Sequence, residues 1–224
     1  MNKNELSANK AGDVSLGGEI SVHRRGFGAM RLTGEGIWGP PRDRKGALAV
    51  LRRAVDLGVD FIDTADSYGP NVSEELIAEA LFPYTAGLVI ATKGGWNRPG
   101  PNQWTHDATP VHLRKAVEGS LKRLRLDRID VYQLHIPDPV VSFEASVETL
   151  AQLRNEGKIR LVACPTSPKS TSSAHAELSQ SFPYRTAIAL RTANGTMWWI
   201  IVSAMELLLF LGSHWEQAKL PATC

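Results

Sequence analysis

The chain of 224 residues has little cysteine, little net charge and no long apolar run. Its two cysteines, Cys164 and Cys224, cannot build a disulfide framework. With 25 Lys and Arg against 23 Asp and Glu, the net charge of +2 lacks the dense basic face that phosphate-backbone binding requires, so no nucleic-acid partner is expected. The most apolar stretch, residues 197–212, is sixteen residues long and contains Glu206. It falls short of the roughly 20 apolar residues of a spanning helix, which argues against a membrane. The first ten residues carry acid and polar groups where a secretory leader needs an apolar centre, so the expected compartment is the cytoplasm. Hydrophobic residues at 43% are ample for a buried core.

Residues 1–12 are polar and read as a loose arm. Alternating apolar residues on either side of Gly17-Gly18 predict a hairpin with a two-residue turn, which could cap a larger body. A rhythm follows. Short apolar runs beginning near residues 26, 59, 88, 129 and 158 alternate with helical patterns over 44–57, 73–81, 110–124 and 143–156. Thr109 and Pro110 supply a start signal for the third helix, and Gly58 and Gly157 supply stops. Short strands without clear alternation, separated by amphipathic helices, predict an α/β fold with a parallel sheet. The repeat of about 33 residues suits an eight-fold βα barrel. The rhythm alone leaves an open doubly wound sheet equally possible.

In either architecture ligands meet the sheet at the carboxyl ends of the strands. The second strand ends in Asp63 and runs into a loop carrying Tyr68, the third ends in Lys93 and the fourth in His135. A carboxylate, a phenol, an ammonium and an imidazole are thus delivered to one rim. Lys93 needs a partner if buried, and Asp63 is a candidate counter-charge. A phenol beside an ammonium is expected to have its pKa lowered from about 10 toward neutrality, making Tyr68 a competent general acid. His135 can donate a hydrogen bond to a carbonyl oxygen. Taken singly, each residue has a plainer role: Asp63 as a turn former, Lys93 as a solvated strand end, Tyr68 and His135 as packing side chains. Accidental arrival of all four on consecutive rims is the weaker account.

The segments FIDTADSYG (61–69), ATKGG (91–95), LKRLRLDRIDVYQLHIPDP (121–139) and EGKIR (156–160), with GFGAMRLTG at 26–34, resemble the aldo-keto reductase family over about residues 15–162. The resemblance implies a (β/α)8 TIM-barrel fold, incomplete here, with about five βα units and an irregular C-terminal tail. It also implies a catalytic tetrad of Asp63, Tyr68, Lys93 and His135. A hydride would pass from NADPH to an aldehyde or ketone, with Tyr68 supplying the proton, Lys93 tuning it, Asp63 holding Lys93 and His135 orienting the small-molecule carbonyl substrate. Trp38 and Trp96, on long Gly/Pro-rich loops, are candidates for the substrate wall, with loop packing as the plainer role. No G-x-G-x-x-G stands between strand and helix, and no metal-ligand spacing occurs. A barrel aldolase with Lys93 as Schiff-base nucleophile is disfavoured, because Asp63 would keep the amine charged.

After Val162 the rhythm stops, dividing the chain into a barrel segment, residues 1–162, and an unrelated tail, residues 163–224. The family pattern implies Gly-Leu-Ser-Asn at the end of the fifth strand, where the chain has Ala163-Cys164-Pro165-Thr166. A one-base shift of reading frame permits the family pattern there and a sixth-strand pattern at 181–186. A frame slip is therefore the expected origin of the tail. The late strands that would hold the adenosine phosphate are missing, so weak NADPH affinity, an exposed sheet edge and an aggregation-prone run at 197–212 are expected. The alternative function is an inactive, truncated barrel fragment that binds no cofactor.

Overall fold

The computed structural model describes residues 7–165, 187–191 and 197–201, with side chains described over 7–164. A hairpin comes first, β1 (Asp13–Leu16) and β2 (Ile20–His23). The repeating segment follows: β3 (Phe27–Gly28), α1 (Arg44–Asp56), β4 (Phe61–Asp63), α2 (Val72–Leu81) and β5 (Val89–Gly94). A short ribbon, β6 (Trp96–Asn97) with β7 (Thr105–His106), precedes α3 (Pro110–Leu124), β8 (Ile129–Leu134), α4 (Phe143–Asn155) and β9 (Ile159–Pro165). Each predicted strand and helix of the repeat is present, with ends displaced by no more than a few residues.

Helix starts follow their capping chemistry. The Asp43 carboxylate accepts from Gly46 N, the Thr109 hydroxyl from His112 N and the Ser142 hydroxyl from Ala145 N, at 2.8, 3.2 and 3.2 Å. Each cap contributes about 1 kcal/mol. Gly58, at φ +84°, turns the chain out of α1 in the left-handed conformation that a Cβ disfavours.

Strands β3, β4, β5, β8 and β9 lie side by side in chain order, and each neighbouring pair is parallel. Among these five described strands the order does not reverse, so they contain no switch point of the doubly wound kind. The choice left open by the rhythm falls to the barrel. Alternation along the strands separates two faces. Phe61, Val89, Ala91, Val131, Leu161 and Ala163 share one core cluster, while Ile62 and Ile90 pack with Leu51 of α1 and with Leu76 and Ile77 of α2. Leu113 and Val117 of α3 and Leu150 and Leu153 of α4 pack with Ile129 and Leu134 of β8.

The β1–β2 hairpin packs Val14, Leu16, Ile20 and Val22 into the cluster of Phe61, Val89 and Val131 and so covers the barrel interior. Its turn differs from expectation. Leu16 pairs with Ile20, which leaves the three residues Gly17, Gly18 and Glu19 in the loop, both glycines with positive φ. The Glu19 carbonyl accepts from Arg160 Nη2 at 2.9 Å, and that anchor uses the extra residue. The expected loose arm is also corrected within the described residues. Ala8–Ala11 form a single helical turn, and Ala8 N donates to Leu57 O at 2.8 Å.

Two further strands, β10 (Ala187–Arg191) and β11 (Met197–Ile201), pair antiparallel with each other, and β11 pairs antiparallel with β9 through Trp198–Pro165 and Trp199–Cys164. The tail is therefore not irregular throughout, and at Cys164 and Pro165 the edge of β9 is paired where exposure was expected. Aromatic and β-branched residues in Met197–Ile201 favour a strand. Residues 166–186, with the proposed shifted-frame motif at 181–186, and 202–212 of the apolar run lie outside the described residues.

Candidate active site

Period-two alternation puts Asp63, Lys93 and Gln133 on the same inward face as Phe61, Ala91 and Val131, at the carboxyl ends of β4, β5 and β8. Parallel register then sets their neighbours, Asp63 opposite Ala91 and Lys93 opposite Gln133. The Lys93 ammonium donates to Asp63 Oδ2 at 2.7 Å and to the Thr64 carbonyl at 2.8 Å. Gln133 Nε2 donates to the other carboxylate oxygen, Oδ1, at 3.1 Å. The pair is buried and hydrogen-bonded on both sides, which is the condition for holding opposite charges out of water.

Tyr68 stands on the loop after β4 and is 4% exposed. Lys93 Nζ lies 5.2 Å from its ring centroid, and the His135 imidazole meets the ring edge-on at 5.7 Å. Ser67 Oγ is 3.3 Å from His135 Nδ1. Trp96 also meets His135 edge-on, with centroids 6.4 Å apart, and contacts Trp104 at 5.7 Å. The structure thus brings Asp63, Tyr68, Lys93, His135 and Trp96 together. Trp38 sits beside them on the loop after β3, which is bridged to the Tyr68 loop at Gly69.

The electrostatics correct one expectation. Burial raises the Tyr68 pKa above the usual phenol value, outweighing the lowering effect of Lys93, because desolvation opposes the phenolate more than one nearby ammonium favours it. Tyr68 is a protonated phenol at neutral pH. Burial pulls the Lys93 pKa down, but Asp63 and Tyr68 together overcome this and leave it raised. Burial first, and the Lys93 charge second, hold His135 well below the usual imidazole value, so it is neutral at neutral pH.

Sequence reasoning missed Gln133 and Arg98. Gln133 precedes His135 by two residues and therefore shares its face, a signal present in the strand pattern. Arg98 carries no such signal; its three partners include carbonyls 31 and 62 residues away in sequence. A cleft of about 330 Å³ lies next to this cluster, lined by Asp66, Ser67, Trp96, Arg98, Lys115 and Arg123 among others. Tyr68, Lys93 and His135 are not in its lining. Among the described residues no cluster of His, Cys, Asp and Glu could hold a metal ion, and no helix is long and apolar enough to cross a membrane.

A sequence profile of the aldo/keto reductase family matches residues 25–182. The chain belongs to the aldo/keto reductase family. Among curated proteins, this aldo/keto reductase is 49% identical over 157 residues to the uncharacterized oxidoreductase C215.11c of Schizosaccharomyces pombe, covering 70% of the chain and 51% of the relative. Among solved structures it superimposes on the glycerol dehydrogenase AKR11B4 of Gluconobacter oxydans with a TM-score of 0.66 at 29% identity, covering 78% of this chain and 53% of that one. An aldo-keto reductase of Klebsiella pneumoniae in complex with NADPH gives a TM-score of 0.56 at 26% identity, covering 70% and 50%. The chain spans about half the length of the curated relatives it matches.

Proposed function

We propose that this aldo/keto reductase chain is an NAD(P)H-dependent oxidoreductase that reduces aldehydes or ketones to alcohols, with Tyr68 as the general acid. The supporting observation is the convergence of a protonated, buried Tyr68 with a charged Lys93 and a neutral His135 at one rim. In this reading a carbonyl oxygen accepts a hydrogen bond from the neutral imidazole of His135. As negative charge develops on that oxygen, Tyr68 passes it a proton, and Lys93 stabilises the phenolate left behind. Asp63 keeps Lys93 charged and in place. Trp38 and Trp96 wall the substrate. The working compartment proposed is the cytoplasm, and the proposed division of the chain is a barrel segment, residues 1–162, and a tail, residues 163–224.

NADPH is the hydride source that family membership suggests. The end of β9 does not suit the nicotinamide carboxamide. Ala163 is buried, Cys164 packs against the core cluster that includes Tyr132 and Leu150 with its thiol pushed up to about 12 by burial, and Pro165 has no amide hydrogen. The described residues supply the carbonyl and proton side of the reaction. Polar contacts for the cofactor would have to come from elsewhere in the chain.

That gap favours one alternative, an inactive barrel fragment that binds no cofactor. NADPH consumption with a generic aldehyde, with Tyr68→Phe as control, tests the proposal. Titration of intrinsic tryptophan fluorescence with NADPH and NADH separates the readings. Quenching with turnover supports the reductase, and neither quenching nor turnover supports the fragment.

A further inference from the structure

Arg98 joins three loops at once. Its Nε donates to the Gln103 carbonyl at 2.9 Å, Nη1 to the Ser67 carbonyl at 2.9 Å and Nη2 to the Gly36 carbonyl at 3.1 Å. These acceptors lie on the loops that follow β5, β4 and β3. The guanidinium carbon stands 3.6 Å from the Trp104 ring centroid and 5.6 Å from that of Trp38. The residue is 9% exposed.

This geometry is poorly suited to catching an anion, because each guanidinium nitrogen already donates to a backbone carbonyl and one face is stacked. It is suited to holding loops together. The loops come so close that a Cβ on Gly36, at φ +69°, would stand 2.9 Å from Asn102 Oδ1. Gly39 N donates to Gly69 O at 2.8 Å, tying the first loop to the second. Ser67 passes the constraint inward. Its carbonyl accepts from Arg98 while its hydroxyl meets His135 Nδ1, and Tyr68 is the next residue.

We propose that Arg98 is a positioning residue, a clamp on three carbonyls that sets the width of the tryptophan-walled mouth and the orientation of His135. The proposal rests on the carbonyl-reductase reading for its catalytic consequence but not for the clamp itself. Lysine cannot replace it, since one ammonium cannot span three carbonyls that diverge from a planar fork.

The test compares the full chain with its Arg98→Lys and Arg98→Met variants by amide hydrogen exchange and by steady-state reduction of a bulky and a small aldehyde. Exchange is expected to quicken about tenfold in residues 34–39, 66–69 and 96–107, with β4, β5 and β8 unchanged. KM for the bulky aldehyde is expected to rise about tenfold while kcat falls less than threefold, with Lys giving no rescue; a displacement of this size has large kinetic leverage. Unchanged exchange in the loops, uniform quickening across the sheet, or full rescue by Lys overturns the clamp. Loops that loosen in a chain with no turnover in any form uphold the clamp and overturn the reductase reading instead.

Discussion

Lys93 and Asp63 form an ion pair of 2.7 Å in which neither side chain is more than 5% exposed. Removing one partner strands the other charge in the barrel interior. Asp63→Leu and Lys93→Met are each expected to destabilise the chain by about 3–5 kcal/mol, whereas the Asp63→Leu, Lys93→Met double substitution is expected to cost less than either single change. Urea unfolding of the four proteins in a double-mutant cycle measures this. Additive costs would mean the pair is not coupled.

Tyr68→Phe keeps the ring that packs against His135 and removes only the hydroxyl. Turnover is expected to fall by about 10²–10⁴-fold with little change in thermal midpoint. A rate within a few-fold of the original would remove Tyr68 as the proton source.

His135 makes stability depend on pH in a definite direction. Its folded pKa is depressed, so below the unfolded value of about 6.5 the unfolded chain binds more protons than the native one. Stability is therefore lost as pH falls from about 7 through that value. His135→Gln is expected to flatten the stability slope between pH 5 and 7, measured from denaturant midpoints at each pH. An unaltered slope contradicts the assignment.

Asp66 acts in the opposite sense. It is buried, its Oδ1 lacks a hydrogen-bond partner, and burial with the nearby Glu74 charge raises its pKa well above the ordinary carboxylate value. The native chain then binds the extra proton, and stability falls as pH rises above about 4. Asp66→Asn is expected to stabilise the chain at pH 7, by on the order of 1–3 kcal/mol. Thermal melts at pH 4 and pH 7 check it, the gain appearing only at the higher pH.

Much of the site was legible because its spacing is local to single strands and loops. Asp63 ends a strand whose following loop carries Tyr68, Lys93 ends an apolar strand and His135 follows the next. Trp96 was legible for the same reason. Gln133 was in principle legible too, since period two puts it on the face of Asp63 and Lys93. The Arg98 carbonyl contacts were not, because backbone acceptors have no sequence signature. The three-residue turn of the hairpin escaped notice because Gly17-Gly18 suits a two-residue and a three-residue loop alike, and the pairing of Leu16 with Ile20 decides between them.

Strand and helix order, helix caps and the reactive residue types were determined by the sequence itself, because propensity, capping and alternation act over a few neighbouring residues. Tertiary structure alone decided between barrel and open sheet, paired the end of β9 with β11, and raised the Tyr68 pKa where a neighbouring ammonium alone would lower it. Each of those outcomes depends on what surrounds a group in space, since desolvation and sheet pairing are set by atoms distant along the chain.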